Sequence, residues 1–232
     1  MREVGFVLTL AFFVGASILM AVQTGFCKDI VGVIVVDMQG DFTTLKNGAL
    51  AVNGTDKAFV ERVQKATEAL KQKGCTIFAT QDWHPKDHIS FFTNHEGKKP
   101  FEAIQIEGRT QVLWPPHCVQ ETDNAALLLD KSLFAAVVKK GQDKKYDSYS
   151  GFQDDGGKQT EMAKILKESG IKELIVYGIA TDYCVKATAI DAAKEGFKVT
   201  VIENLCRGVA PETSAKAIQE MKDKGITVKQ EL

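Results

Sequence analysis

Runs of consecutive apolar residues alternate along this chain with longer stretches whose apolar positions recur every three or four residues. The run "DIVGVIVVDMQ" is apolar and largely β-branched from Ile30 to Val36, the pattern of a strand buried on both faces. "TDKAFVERVQKATEALKQKG" has helical spacing, opens on a capping Thr or Asp and stops at Gly74. "CTIFATQD", "LFAAVVKKG", "KELIVYGIA", "FKVTVIE" and a short "ITVKQ" predict five further strands. Helices are predicted over "QTEMAKILKESG", "DYCVKATAIDAAKEG" and, from Pro211, "PETSAKAIQEMKDKG". This alternation predicts an α/β fold, a three-layer, doubly wound, mostly parallel six-stranded sheet with helices on both faces. Residues 83–130 hold four of the five prolines and are expected to be irregular.

The N-terminus breaks the pattern. Residues 4–22, "VGFVLTLAFFVGASILMAV", are almost wholly apolar and follow Arg2. That composition predicts an export signal or a retained membrane anchor over residues 1–27, and a periplasmic, extracellular or membrane-anchored location. Residues 28–232 are then one globular domain.

Composition narrows the function. A formal net charge of −1 gives no basis for binding nucleic acid. The five cysteines are scattered, with no C-x-x-C, so no disulfide framework is expected and most should be buried as small apolar residues.

In parallel sheets, ligands gather at the carboxyl ends of the strands. Asp37 ends the first predicted strand, Asp82 the second and Lys140 the third, while "GIATDYC" follows the fourth. Cys184 is placed one turn into a helix, where unpaired N–H groups favour a thiolate and could hold an oxyanion. Asp37, at the end of an apolar run, is expected to be poorly solvated and eager for a proton, a suitable base for the thiol. Lys140 would favour the ionised pair. Each of these residues also has an ordinary reading, as a buried cysteine, a turn cap or a surface lysine.

All four histidines fall between positions 84 and 117. Asp82 and His84 stand two apart just past a strand, and His117 follows the stiff "WPP". One Asp and two His make a mixed oxygen–nitrogen set for one divalent metal ion, suited to zinc, iron(II) or manganese. His88 is a weaker fourth candidate beyond Pro85, and His95 reads as an exposed loop residue. Phe42 and Trp114 could line a flat apolar slot for a ring, or belong to the core.

Together "VVDMQGDF", "QDWHPKDHISF", "WPPHCV", "KKGQDKKYDSYSGF" and "GIATDYCVKATAIDA" resemble the nicotinamidase/pyrazinamidase branch of the isochorismatase-like cysteine hydrolases. The resemblance spans residues 33–193 and implies that residues 28–232 form one hydrolase domain of that fold. It implies a catalytic triad of Asp37, Lys140 and Cys184 and metal ligands Asp82, His84 and His117. It also implies an oxyanion hole from the N–H groups of Ala180 and Cys184, and a cis peptide bond between Ile179 and Ala180. The implied reaction is hydrolysis of a carboxamide C–N bond: nicotinamide, and also pyrazinamide, to the acid and ammonia through a thioester. The implied partner is a small nicotinamide-like carboxamide, with a second copy of the chain possible. Other readings are a metal-free cysteine amidohydrolase of carbamoyl or ureido compounds, and a silent module that binds nicotinamide or senses oxidants through Cys184. The apolar N-terminus departs from the family pattern and puts the physiological substrate in question.

Overall fold

The computed structural model describes Met1 and residues 30–232. The expected leader over 1–27 lies outside the described residues. Among the described residues, no helix is long and apolar enough to cross a membrane.

The central strand is β1, Val31–Val36, whose unbroken apolar sequence leaves it buried along nearly its whole length. Helix α1, Lys57–Gln72, follows; the Asp56 carboxylate caps it by accepting the Phe59 N–H at 2.9 Å. Its apolar stripe of Phe59, Val60, Val63 and Leu70 is buried. Strand β2, Thr76–Asp82, pairs in parallel with β1. The chain then makes a long excursion before β5, Ala136–Lys140, joins the far side of β2.

That excursion corrects the expectation of an irregular region. It contains an antiparallel hairpin of β3, Ala103–Ile106, and β4, Arg109–Val112. The two turn residues, Glu107 (φ +50°) and Gly108 (φ +80°), both lie in the left-handed region, as a type I′ turn requires. "QIEGRT" was a weak signal because the strands are short and mostly half-exposed, so little alternation shows.

Helix α2, Met162–Glu168, leads to β6, Glu173–Gly178, which pairs with the other edge of β1. The single helix predicted from residue 182 is divided. A wide π-type turn covers Thr181–Val185, with the Val185 N–H bonded to the Ala180 carbonyl five residues back at 3.0 Å. Regular helix α3 is confined to Lys186–Lys194. Strand β7, Lys198–Ile202, helix α4, Pro211–Asp223, and β8, Thr227–Lys229, complete the chain.

The sheet order is β5-β2-β1-β6-β7-β8, parallel throughout. The chain winds outward from β1 first toward β2 and later toward β6. Right-handed crossovers in opposite directions place α1 and α3 on opposite faces. The reversal between β1 and β6 opens a crevice at their carboxyl ends. Cys75, Cys118, Cys184 and Cys206 are all buried, as expected of the cysteines.

Candidate active site

The strand ends meet as their positions predicted. Asp82 stands directly across from Lys140 in the β2–β5 register, and Asp37 follows Val36, which pairs with Gly178 on β6. Gly178 is the one residue type this junction accepts: at φ +137° an added Cβ would lie 2.1 Å from the Val36 carbonyl oxygen. The next peptide bond, Ile179–Ala180, is cis, as the resemblance implied. Cys184 then sits in the π-type turn.

Lys140 is the hub. Its Nζ is wholly buried, 3.0 Å from Asp37 Oδ2 and 3.5 Å from Cys184 Sγ. It also donates to Asp82 Oδ1 and, at 2.8 Å, to the Ser148 carbonyl. Burial alone would strip its proton, but Asp37 and Asp82 outweigh that and hold the ammonium far above its usual range. Asp37 is turned by a left-handed backbone (φ +45°) and fixed by Thr80, whose hydroxyl donates to Oδ1 at 2.7 Å. Its Oδ2 faces the Lys140 ammonium at 3.0 Å and takes no other bond. Burial raises the Asp37 carboxyl above its ordinary value against the pull of Lys140. One carboxylate oxygen from each of Asp37 and Asp82 lies with Cys184 Sγ inside 4.8 Å.

The thiol corrects one expectation. The turn at Cys184 does not favour a thiolate at rest, because burial pushes the thiol well above its ordinary value despite Lys140. The resting pair is therefore a thiol beside a carboxylate, with the lysine charge already spent on two acids.

Asp82, His84 and His117 converge, with one donor atom from each inside 4.8 Å of the others, and all three are buried. Each histidine is pinned from behind. His84 Nδ1 donates to the Gly141 carbonyl at 2.9 Å, and His117 Nδ1 to the Pro115 carbonyl at 2.8 Å. Those carbonyls hold Nδ1 of each ring and leave Nε2 of both facing the Asp82 carboxylate, 3.4 and 3.9 Å from Oδ2. Buried His84 Nε2 has no hydrogen-bond partner. Burial pushes His117 down to about 4, the neutral state a metal ligand needs. This donor set fits a divalent cation.

His88 is not part of it. Both its ring nitrogens face protein partners, the Ser90 hydroxyl at 2.7 Å and the Tyr146 carbonyl at 3.1 Å. It packs instead against the His84 ring at 4.3 Å between centroids. His95 is half-buried rather than exposed, bonded through Nε2 to the Ile89 carbonyl at 2.7 Å.

Asp82, His117 and Cys184 all open into one cavity of about 180 Å³. Phe42 and Trp114 line it, as expected, and so do Tyr149 and Tyr183. Trp114 Nε1 donates to the Tyr149 hydroxyl at 3.1 Å, and Tyr183 meets the Trp114 ring edge-on at 5.2 Å. Ala180 lies in the same wall. Sequence reasoning missed Thr80, Ser148, Tyr149 and Tyr183. "DSYSGF", which begins seven residues past Lys140, was the available signal for Ser148 and Tyr149, and Tyr183 adjoins Cys184.

The profile described as Isochorismatase domain matches residues 31–230. The nicotinamidase of Escherichia coli (strain K12) is 43% identical over 200 residues, covering 84% of this chain and 92% of that protein. The solved nicotinamidase/pyrazinamidase of Acinetobacter baumannii is 38% identical with a TM-score of 0.81, covering 88% of this chain and 97% of its own. The pyrazinamidase of Pyrococcus horikoshii, solved in complex with zinc, is 37% identical with a TM-score of 0.73, covering 87% and 99%. Sheet order, site and similarity agree: the chain belongs to the isochorismatase family, in its nicotinamidase/pyrazinamidase branch.

Proposed function

We propose that the protein is a nicotinamidase, hydrolysing nicotinamide to nicotinate and ammonia and accepting pyrazinamide as well. The observation that carries this reading is that Cys184 and the Asp82/His117 edge of the metal-fit cluster face one aromatic-lined cavity. A flat heteroaromatic amide spans that distance with its carbonyl at the thiol and its ring against Trp114 and Phe42.

Asp37 Oδ2 takes the Cys184 proton as Sγ attacks the amide carbon. Lys140 is positioned to hold the Asp37 carboxylate in place and to offset the negative charge that proton transfer moves onto sulfur. Charge developing on the carbonyl oxygen is assigned to the N–H groups of Ala180 and Cys184. Asp37 then returns the proton to the departing nitrogen, and ammonia leaves. Water attacks the thioester with Asp37 again as base, releasing nicotinate and restoring the thiol. A divalent cation on Asp82, His84 and His117 would supply a Lewis-acidic anchor for the ring nitrogen, and zinc suits this nitrogen–oxygen set. Asp82 serves both groups, with Oδ1 on Lys140 and Oδ2 toward the histidines.

Ammonia release from nicotinamide by the purified protein, against Cys184→Ala, tests the reading. Turnover should vanish in the variant; equal turnover in both would remove the thioester route. A metal-free hydrolase of carbamoyl compounds has no use for the buried convergence of Asp82, His84 and His117. A silent module has no use for the Asp37–Lys140–Cys184 contacts.

We further propose that the chain is exported or membrane-anchored through residues 4–22. The apolar run after Arg2 supports this. Protease added to intact cells should digest a C-terminally tagged copy, and a fully protected tag would defeat the idea.

A further inference from the structure

Among the described residues, Phe101 is the one Phe, Trp or Tyr classed as exposed, at 61%, yet it lines the active-site cavity. What sets this residue apart is its place on the wall of the cavity, beside Trp114. The ring is placed deliberately. Phe101 holds a left-handed backbone, φ +69°, which few residues without a glycine's freedom adopt. Its N–H donates to the Leu113 carbonyl at 2.5 Å, and the Leu113 N–H returns a bond to Glu102 at 2.8 Å. Those bonds seat it at the root of the β3–β4 hairpin. Its ring meets the Trp114 ring edge-on, 6.0 Å between centroids and 86° between planes. Trp114 in turn meets Tyr183 edge-on.

The hairpin carrying Phe101 is held fast. Arg109 stacks its guanidinium 4.3 Å from the centre of the Tyr146 ring and donates to the Lys145 carbonyl. Gln111, buried, donates to Asp147 Oδ2 at 3.2 Å. Both ties run to the 145–149 segment, which supplies Ser148 to Lys140 and Tyr149 to the cavity wall. The rim at Phe101 is thus a fixed wall, and Val209, 47% exposed, also borders the cavity.

We propose that Phe101 is a specificity-determining residue. Its ring narrows the mouth of the cavity beside Trp114, gripping an unsubstituted flat ring and excluding rings that carry a group on their outward edge. The inference rests on the amidase reading above.

The test uses the metal-loaded full chain as wild type, Phe101→Ala and Phe101→Trp. Substrates are nicotinamide and its 4-, 5- and 6-methyl derivatives, and nicotinate binding is followed by calorimetry. Losing one edge-on aromatic contact should raise the KM for nicotinamide about three- to tenfold in Phe101→Ala with kcat unchanged. At least one methyl isomer should gain about tenfold in kcat/KM relative to nicotinamide. Phe101→Trp should restore KM and reject all three isomers. An unchanged KM together with unchanged methyl selectivity in Phe101→Ala would overturn the inference, and a purely structural role would not move the selectivity ratio. If wild type releases no ammonia, the amidase reading fails separately, and nicotinate binding decides this one: weaker binding by Phe101→Ala upholds it, and equal binding overturns it.

Discussion

At the scale of single residues, the chemistry depends on which groups are charged before substrate arrives. Lys140 is shared by two buried carboxylates, and Cys184 is a thiol rather than a thiolate. Asp37 must be ionised to accept the thiol proton, and burial raises its carboxyl above the ordinary value. Activity therefore falls as pH drops through that raised value, so the acid limb of kcat/KM for nicotinamide should lie above the ordinary carboxylate range. Lys140→Met removes the cation that opposes the rise, and should move the limb to still higher pH in whatever activity survives. A limb that stays put in this variant would mean that Asp37 is not the titrating base.

The candidate triad was legible because Asp37 and Lys140 stand at the ends of strands whose apolar runs are plain in the sequence, and Cys184 follows a third such strand through a short turn. The ionisation state of the thiol was not legible. It depends on how completely the surrounding segments exclude water from Cys184, which no local pattern encodes. Thr80 and Ser148 escaped notice for a related reason. A strand threonine and a loop carbonyl look ordinary until the fold brings them to Asp37 and Lys140.

At the scale of elements, the sequence expectations held for the six strands of the main sheet and failed for the β3–β4 hairpin and for the turn that carries Cys184. The π-type turn at Thr181–Val185 reads locally as the first turn of an α-helix, since five residues are too few for apolar spacing to tell the two apart. The "EG" turn of the hairpin was passed over because its flanking strands are four residues each. Gly141, just past β5, shows how tightly an element end can be specified. At φ +66°, an added Cβ would lie 2.3 Å from His84 Cε1 and 2.5 Å from Nδ1, on the ring that the Gly141 carbonyl orients. Gly141→Ala should displace that ring and weaken metal binding by about 10- to 100-fold. Competition with a chromogenic chelator measures it, and unaltered affinity would show that His84 is not held through this contact. Asp182 accepts the Val209 and Ala210 N–H groups at 3.0 and 3.3 Å, tying the Cys184 turn to the start of α4.

At the scale of the whole molecule, the cation site joins segments far apart in sequence. Asp82 and His84 follow β2, His117 comes from the long excursion, and Gly141 orients His84 from beyond β5. A ligand that binds only the folded chain stabilises it by mass action, about 2.7 kcal/mol at a hundredfold excess over Kd. Zinc added to chelator-stripped protein should raise Tm, and the rise should disappear in Asp82→Ala. A similar rise in that variant would place the ion elsewhere.

The sequence by itself determined the fold class, the six strands of the main sheet, and the candidates for the triad and the metal ligands. Strand ends in a parallel sheet share one edge, so an apolar run followed by a reactive residue already locates that residue. The tertiary structure alone decided the rest: that Asp82 serves both lysine and cation, that His88 is spent on Ser90 and Tyr146, that the thiol rests protonated, and that Phe101 borders the mouth. Each of these depends on distances between segments remote in the chain and on the water their packing excludes. Both are properties of the folded chain, absent from any local stretch of residues.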